Sequence, residues 1–505
     1  MPHWHACKNI ALPVLALLGL LMPGAPAAQG QAVDTKAIDD IVLEALKAWE
    51  VPGAAVVIVQ GDRVLYLKGQ GTRRLGGKEP VTADTTFGLA SCSKAFTTLA
   101  LAMFVDEKKL SWDDPVRKHV PFFRLADPLA DANVTVRDLL CHRTGVANHD
   151  LLCYRAPWNL EEQIRRIGKV QPSRSFRSAF QYQSIMFIAA GHAVGTTSGM
   201  PWGEFVQKRI FAPLDMTGAS TTTAAALKGE DHAIPHRRTK DGKIEAIPWY
   251  RFGEPNPSAS VNASARDLGK WLRFQLGDGT TLGKRLVSAE NLAETHMPQT
   301  IIRLEGVTRA EHPFTSQMSY GMGWVLQDYR GHALVSHAGI IDGMRTHITM
   351  VPNAQIGIAI LSNLHRTRMN LALSNTLVDR LLRLPYKDWN GYYGGLVKAE
   401  EEADKASQRD WQAKRRPNTQ PSQPLKAYAG TYEDPAYGTA KITLENGSLV
   451  WHWSTFRCVL DHYHYDTFTI RQEDILDHAP LVFRLGADGA VTGMRVLDVE
   501  FKKQP

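Results

Sequence analysis

The sequence predicts an α/β fold in which helices flank an antiparallel sheet, with a mainly helical insertion and a small all-β barrel at the C-terminus. Two sets of β-branched apolar runs, within residues 54–67 and 323–361, enclose a long stretch with helical patterns. Strands from both ends of one segment can share a sheet, and the residues between them then form the insertion. Hairpin signals dominate residues 425–505, which predicts the separate barrel.

Length and composition indicate an ordinary globular chain with more than one domain. At roughly 100 to 200 residues per domain, 505 residues suffice for two to four folding units. The hydrophobic fraction of 44% and the charged fraction of 22% exclude collagen-like, coiled-coil and largely disordered proteins. The net charge is +7, but the basic residues are scattered along the chain, which argues against a nucleic-acid partner.

The N-terminus has the pattern of a secretory signal. A short basic region precedes the apolar run Ile10–Met22, and Ala25-Pro26-Ala27 supplies the small residues that signal peptidase requires. Residues 1–27 are therefore predicted to be a signal peptide, and the mature protein to be periplasmic or extracellular. No later run is long and apolar enough to span a bilayer, so we expect no membrane span in the mature chain. In such an oxidising compartment Cys141 and Cys153 either pair or remain two thiols, and the sequence leaves both open.

The mature chain begins with a helix and a hairpin. Apolar residues recur at helical spacing over Ile38–Trp49, and Pro52-Gly53 ends the pattern. Residues 54–59 and 64–67 are apolar runs around a turn-like tripeptide, which predicts an antiparallel hairpin. A further helix is predicted from Phe96 to Val105. The later strands are predicted at residues 323–326, 334–337, 347–351 and 357–361.

A change in composition separates the C-terminal β domain from the rest. Residues 398–424 are rich in charge and end in three prolines, which predicts a linker with little apolar surface, either irregular throughout or helical at its start. We therefore expect the units on either side, residues 28–397 and 425–505, to be joined loosely. Within the second unit, Asn446-Gly447 and Asp488-Gly489 each predict a β-hairpin.

Ser91-Cys92-Ser93-Lys94 carries the first candidate chemistry. A spacing of three places Ser91 and Lys94 one turn apart on one face at the start of a helix, where a neutral lysine amine can take the serine proton. The helix N-terminus also favours the alkoxide that forms. Alone, the pattern is equally compatible with a capped helix and a solvated lysine.

Two later elements strengthen that interpretation. Tyr182 stands where a polar loop leads into an apolar helix, and its phenol is a candidate acid or base, although a core aromatic is the simpler alternative. His337 ends a strand, and Gly339 after it lets a substrate approach the backbone closely. The combination of Ser91 and Lys94 with Tyr182 and then His337, in this chain order, arises by chance less often than any one of these patterns alone.

Over about residues 35 to 385 the chain resembles the serine β-lactamase and penicillin-binding-protein superfamily. The similar branch contains class C β-lactamases, D-alanyl-D-alanine carboxypeptidases, D-aminopeptidases and family VIII esterases. The C-terminal part, opening with Tyr428-Ala429-Gly430-Thr431-Tyr432, resembles a lipocalin-like β domain. The stretches that carry the main resemblance are Phe87–Lys94, Asp138–Gly145, Ser264–Leu268, Tyr320–Trp324 and His337–Gly339.

The resemblance implies a serine hydrolase that forms an acyl-enzyme. Ser91 would be the nucleophile, Lys94 its proton acceptor, and Tyr182 the group that protonates the leaving group and later activates water. Backbone N–H groups of Ser91 and Ile340 would form the oxyanion hole. His337 takes the position of a lysine found in many β-lactamases, which favours esterase or peptidase activity. The implied substrate is a small ester or a D-amino-acid-containing peptide or amide, and no metal or organic cofactor is needed.

Ser184 departs from the family pattern, which has Asn two residues after the tyrosine. A hydroxyl has one donor proton where the amide has two, so ester hydrolysis gains over amide hydrolysis. Arg345 is a candidate for binding a substrate carboxylate, with an exposed structural arginine as the alternative. The rival function is a penicillin-recognising or peptide-binding module with little or no turnover.

Overall fold

The computed structural model describes residues 34–471 and 476–505, so the expected signal peptide lies outside the described residues. Most of the longer helices lie in the first unit, where they surround the sheet. The helices are α1 (Thr35–Trp49), α2 (Lys94–Asp106), α3 (Val116–His119), α4 (Pro128–Asn133), α5 (Val136–Leu140), α6 (Leu160–Ile167), α7 (Ser184–Ser198), α8 (Trp202–Val206), α9 (Thr223–Ala226), α10 (Ala265–Leu276), α11 (Ala289–Thr295), α12 (Gly306–Glu311), α13 (Met369–Leu381), α14 (Trp389–Ala413) and α15 (Leu425–Tyr428). Within the described residues, no helix combines the length and apolar character needed to cross a bilayer.

The strands divide between the first unit and the C-terminal barrel. Those of the first unit are β1 (Gly53–Gln60), β2 (Arg63–Gly71), β3 (Phe87–Gly88), β4 (His236–Arg238), β5 (Ile244–Ala246), β6 (Asn262–Ala263), β7 (Thr280–Thr281), β8 (Lys284–Arg285), β9 (Thr300–Ile301), β10 (Met318–Tyr320), β11 (Val325–Tyr329), β12 (His332–Ile341), β13 (Met344–Val351) and β14 (Ile356–Ser362). Those of the barrel are β15 (Gly430–Asp434), β16 (Gly438–Glu445), β17 (Ser448–Trp453), β18 (Phe456–His464), β19 (Thr467–Arg471), β20 (Pro480–Leu485), β21 (Val491–Val496) and β22 (Val499–Lys503).

The main sheet joins strands from both ends of the first unit, which confirms the predicted fold class. Its eight strands follow the order β2-β1-β14-β13-β12-β11-β10-β9, and every neighbouring pair is antiparallel. The N-terminal β1 pairs with β14, with Ala54 opposite Ser362. The residues between β2 and β9 supply the mainly helical insertion that the sequence predicts.

Each face of the sheet packs against its own hydrophobic core. Val56 and Ile358 lie in the core that holds α1 and α13, whereas Val57 and Ala359 lie in the core that holds α2 and α10. Because side chains alternate along a strand, each residue of the sheet belongs to one side only. The candidate site lies on the α2 side.

The C-terminal unit is a closed barrel of eight antiparallel strands, as predicted. The hairpin between β16 and β17 turns at Asn446-Gly447, both with positive φ (48° and 78°), which fits the predicted two-residue turn. The second hairpin differs. Residues 486–490 connect β20 to β21, and the register shifts at Arg484/Leu485, so this loop is longer than Asp488-Gly489 alone.

The barrel is docked against the first unit, and the expectation of a loose joint is wrong. Much of the predicted linker is helical, since α14 extends to Ala413. The Tyr437 hydroxyl lies 2.7 Å from His149 Nδ1, and the Trp158 and Trp453 rings are 6.3 Å apart between centroids. One continuous hydrophobic core includes residues of both units. The linker composition was a poor guide because the apolar docking surface lies on the barrel strands.

The described cysteines, Cys92, Cys141, Cys153 and Cys458, are all free thiols. Of the two alternatives for Cys141 and Cys153, the structure therefore has the unpaired thiols.

Candidate active site

Ser91 lies in a short 3-10 turn, Ala90–Ser93, that leads directly into α2. This turn packs backbone to backbone against β12. A Cβ on Gly339 would lie 2.0 Å from the Leu89 carbonyl oxygen, so only glycine permits the approach. The Cys92 thiol also donates to the His337 carbonyl at 3.3 Å. Ser91 itself is partly exposed, although its neighbours in the turn are buried, so solvent can reach this residue.

Lys94 is fully buried and is directed at the serine. Its Nζ donates to Ser91 Oγ at 3.2 Å and to the Ser258 carbonyl at 3.1 Å. Burial lowers the pKa of Lys94 to about 8, and the charge of Asp150 opposes that shift. A substantial fraction of the amine is therefore neutral near physiological pH and can accept a proton.

The loop that contains Pro257 and Ser258, whose carbonyl accepts from Lys94, was not predicted from the sequence. Thr97, one turn further along α2, donates to the Pro257 carbonyl at 2.7 Å, so α2 binds two consecutive carbonyls. On its other side the loop packs against α7, where a Cβ on Gly191 would lie 2.1 Å from Pro257 Cγ. Because the Ser258 group is a main-chain carbonyl, no residue type in the sequence marks it.

Tyr182 lies just before α7, beside the serine. Its hydroxyl is close enough to Ser91 for a hydrogen bond that opposes the rise in its pKa, which burial causes. Lys94 Nζ lies 4.8 Å from the centre of its ring. The serine, the lysine and the tyrosine predicted from the sequence therefore meet at one point.

His142 lies beneath Tyr182 and was not assigned a role from the sequence. Its ring centre is 4.2 Å from that of Tyr182, and its Nδ1 accepts from the Gln183 backbone N–H at 3.1 Å. Burial, with the charge of Lys94, lowers the pKa of His142 well below its usual value, so the ring is neutral. It belongs to the stretch Asp138–Gly145 that carries the family resemblance.

His337 is buried with both ring nitrogens bonded. Nδ1 lies 2.7 Å from the Ala338 carbonyl and must donate, because a carbonyl only accepts. Nε2 then accepts from the Tyr320 hydroxyl at 2.9 Å. Burial and the charge of Lys94 lower the pKa of His337 to about 3, so the ring is neutral. Tyr320 was recognised only as part of a motif, and its contact with His337 required the structure.

Among the described residues, neither Ser184 nor Arg345 forms a hydrogen bond with Ser91 or Lys94. Ser184 is the buried first residue of α7, and Lys94 bonds to the Ser258 carbonyl rather than to its hydroxyl. Arg345 pairs with Ile340 across β12 and β13, so both side chains lie on the face opposite His337 and Gly339. Its charged neighbours there are Glu311 and Arg368. The structure therefore excludes Arg345 from the group around Ser91.

Asp150 is a further group at the site that the sequence did not indicate. It begins a 3-10 turn, Asp150–Leu152, in the wall of the site, and its charge acts on both Lys94 and Tyr182. The preceding segment is tied to the tyrosine loop, because Gln183 Nε2 donates to the Ala147 carbonyl at 2.6 Å. No motif includes Asp150, so only the fold brings its charge within range of Lys94 and Tyr182.

Comparisons with known proteins agree with this architecture. Residues 38–382 match the family described as Beta-lactamase, and residues 414–505 match the one described as Domain of unknown function (DUF3471). A protein of Aspergillus campestris, named Unguisins hydrolase ungD', is 29% identical over 491 residues, which cover 91% of this chain and 88% of that protein. Protein flp of Staphylococcus aureus is 25% identical over 334 residues, or 65% of this chain and 63% of that protein.

Solved structures share the fold at lower identity. The octameric penicillin-binding protein homologue from Pyrococcus abyssi superposes with a TM-score of 0.61 at 20% identity, covering 93% of this chain and all 100% of that one. The D-amino acid amidase from Ochrobactrum anthropi superposes with a TM-score of 0.56 at 21% identity, covering 69% of this chain and 98% of that one. With the sheet, the helical insertion and the Beta-lactamase match over residues 38–382, the chain belongs to the beta-lactamase family.

Proposed function

We propose that the protein is an exported serine hydrolase that forms an acyl-enzyme on Ser91 and hydrolyses a small ester or a D-amino-acid-containing peptide or amide. One observation carries the proposal. Lys94 Nζ lies 3.2 Å from Ser91 Oγ in a buried position that lowers the pKa of the amine to about 8. A buried, partly neutral amine in contact with a serine is the arrangement that activates a serine nucleophile.

In the proposed reaction, Ser91 Oγ attacks the substrate carbonyl while neutral Lys94 takes the hydroxyl proton. Backbone N–H groups of Ser91 and Ile340 stabilise the oxyanion. As the tetrahedral intermediate collapses, the bond to the leaving group breaks and Tyr182 delivers a proton to it. Water then attacks the ester carbonyl on Ser91 and loses a proton to the Tyr182 phenolate. The bond between the carbonyl carbon and Ser91 Oγ breaks, Lys94 returns its proton to Ser91, and the acid leaves. Tyr182 suits this role because its raised pKa keeps the phenol protonated until it donates.

The relatives support hydrolysis of an acyl bond, and their names leave ester and amide open. Similar proteins include the Aspergillus unguisins hydrolases and a D-amino acid amidase. The structure of EstCE1, described as a hydrolase with promiscuous acyltransferase activity, has a TM-score of 0.56 at 18% identity. Ser184 favours the easier ester chemistry, since one hydroxyl replaces an amide with two donor protons.

Labelling and turnover together test the proposal. A fluorophosphonate should add once to the protein, on the peptide that contains Ser91, and Ser91→Ala should remove the adduct. Ser407→Ala, an exposed serine on α14, is the matched control and should label normally. Repeated turnover of p-nitrophenyl acetate by the wild type is expected. A single burst without turnover would instead favour the rival binding module, and an adduct that persists in Ser91→Ala would refute the nucleophile.

Export is a separate part of the proposal, motivated by Ile10–Met22 and Ala25-Pro26-Ala27. N-terminal sequencing of protein recovered from the periplasm or medium should begin at Ala28 or within a few residues. Full-length protein confined to the cytosol would contradict it.

A further inference from the structure

His142 contacts the main chain on both sides of Tyr182. The Gln181 backbone N–H donates to the His142 carbonyl at 2.8 Å, and the Gln183 backbone N–H donates to His142 Nδ1 at 3.1 Å. The imidazole also packs against the phenol, with 4.2 Å between the ring centres. Residues 181–183 lie before α7 and have no regular secondary structure, so no helix or strand restrains Tyr182. The three contacts with His142 supply that restraint instead.

The backbone of His142 has a left-handed conformation, with a φ of 55°. Residues other than glycine adopt this conformation uncommonly, and such strain persists only where the surrounding structure requires it. In this conformation both the carbonyl and the ring of His142 reach the segment around Tyr182. The strained residue is therefore the same one that makes both bonds beside the tyrosine.

Packing alone does not account for an imidazole at this position. The ring is fully buried among those of Tyr182, Phe187 and Tyr320. A backbone N–H can only donate, so Nδ1 of His142 carries no proton and the proton of the neutral ring lies on Nε2. That nitrogen is buried and has no hydrogen-bond partner among the described residues. An apolar ring would fill the space without this costly unpaired donor, so what the imidazole adds is the acceptor for Gln183.

We propose that His142 is a positioning residue that directs the Tyr182 hydroxyl at the leaving group. The inference rests on the proposed function, in which Tyr182 gives its proton to the leaving oxygen as the bond to the carbonyl carbon breaks. His142 acts through the tyrosine and exchanges no proton with the substrate. Loss of the Nδ1 acceptor would leave the Gln183 N–H unpaired and let the main chain beside Tyr182 move. Proton delivery should then suffer more than attack by Ser91.

Two acetate esters separate proton delivery from the rest of acylation. p-Nitrophenolate is a stable anion that leaves without a proton, whereas ethoxide has to be protonated as it leaves. For both esters kcat/KM reports acylation, because acylation is the first irreversible step. The measured quantity is the ratio of kcat/KM for ethyl acetate to that for p-nitrophenyl acetate, with the released acid followed at one pH. Tyr182→Phe, which removes the acid itself, should lower this ratio about 100-fold.

His142→Phe keeps a buried ring and removes the acceptor. It should lower the ratio at least about tenfold, because the tyrosine is present but misdirected. His142→Asn keeps an acceptor, since Oδ1 takes the position of Nδ1, and asparagine tolerates the left-handed backbone. It should keep the ratio within about threefold of the wild type, although its smaller side chain leaves a cavity and lowers the thermal unfolding midpoint more than phenylalanine does. A structural role alone predicts the opposite, that the less stable variant has the lower ratio.

His236→Phe is the matched control. His236 is also fully buried, and its Nε2 accepts from the Leu75 backbone N–H at 3.0 Å, so this variant loses an equivalent bond elsewhere and should keep the wild-type ratio. If His142→Phe does not fold, His142→Met removes the same acceptor with a flexible side chain and is measured in its place.

The outcomes separate this inference from the proposed function. A wild-type ratio in the variant without the acceptor, or an equal loss in His142→Asn, would overturn the positioning role and leave the hydrolase standing. An unchanged ratio in Tyr182→Phe, or a wild type inactive on ethyl acetate, would overturn proton delivery by Tyr182 and the inference with it. No hydrolysis of either ester would overturn the proposed function itself.

Discussion

At the scale of single residues, the chemistry depends on the protonation of Lys94. Its pKa is about 8 in the folded protein, below the ordinary 10.5, because the amine is buried. Only the neutral amine can accept the Ser91 proton, and the neutral fraction grows as the pH rises through that value. We therefore expect kcat/KM for p-nitrophenyl acetate to increase with pH and to level off above an apparent pKa near 8.

The charge of Asp150 raises the pKa of Lys94, so Asp150→Asn should move that profile to lower pH. Asp62→Asn, at an exposed turn, is the control and should leave the profile in place. A profile that is flat between pH 6 and 9, or one that both variants move equally, would contradict the role of Lys94 as the base.

Ser184 provides a second test at this scale. Ser184→Asn adds a donor near the proposed position of the substrate carbonyl, so we expect amide or β-lactam turnover to rise relative to ester turnover. The comparison is the ratio of kcat/KM for an amide and an ester that share one acyl group. Ser407→Asn on the exposed face of α14 is the control. An unchanged ratio in Ser184→Asn would mean that this hydroxyl does not approach the substrate.

At the scale of elements, the site depends on the contact between β12 and the turn that carries Ser91. Gly339→Ala would place a methyl group 2.0 Å from the Leu89 carbonyl oxygen, so the strand and the turn have to separate. We expect kcat/KM to fall at least about 100-fold, because a displacement of about 1 Å at the reacting groups has that effect. We also expect destabilisation of about 1–3 kcal/mol, measured by urea unfolding.

Gly395→Ala is the matched control for that substitution. Gly395 lies within α14, and a Cβ there meets no heavy atom within 4 Å. Alanine is the better helix former, so this variant should keep its activity and be equally or more stable. Normal activity in Gly339→Ala would show that the close contact does not position the nucleophile.

The elements also differ in how well the sequence predicts them. The helix at Ile38–Trp49 and the hairpin that follows agree with α1, β1 and β2 to within a few residues. The apolar residues of α1 recur at helical spacing, and β1 is a continuous apolar run that is buried on both faces. Residues 398–413 were expected to be a linker but belong to α14. Nearly all of these residues are exposed, so no buried apolar face repeats at the helical period, and the sequence left a helical start as one alternative only.

At the scale of the whole molecule, the barrel supports a wall of the candidate site. Tyr437 bonds to His149, the neighbour of Asp150, and the Ser454 and Thr455 hydroxyls donate to the Arg155 carbonyl at 3.2 and 2.9 Å. Removing residues 414–505 should therefore lower kcat/KM for both a small and a bulky ester, because the wall segment loses its packing. Circular dichroism establishes whether the truncated protein remains folded.

Tyr437→Phe tests the same contact in the full chain. It removes only the hydroxyl that bonds His149 and should lower kcat/KM severalfold without unfolding the protein. Tyr465→Phe, at an exposed position on the barrel, should have no effect. Full activity of a folded truncated protein on the small ester would show that the barrel is dispensable for the chemistry.

The sequence by itself determined the fold class, the family resemblance and the position of Ser91 and Lys94 one turn apart, because periodicity and residue spacing are local properties of the chain. The grouping of Tyr182 with them was implied by the resemblance alone. Only the tertiary structure decided which groups complete the site. The Ser258 carbonyl has no side-chain signature, and the exclusion of Arg345 depends on the pairing of β12 with β13. Asp150 and the docked barrel reach the site through contacts between residues far apart in the chain, and such contacts leave no pattern in a single sequence.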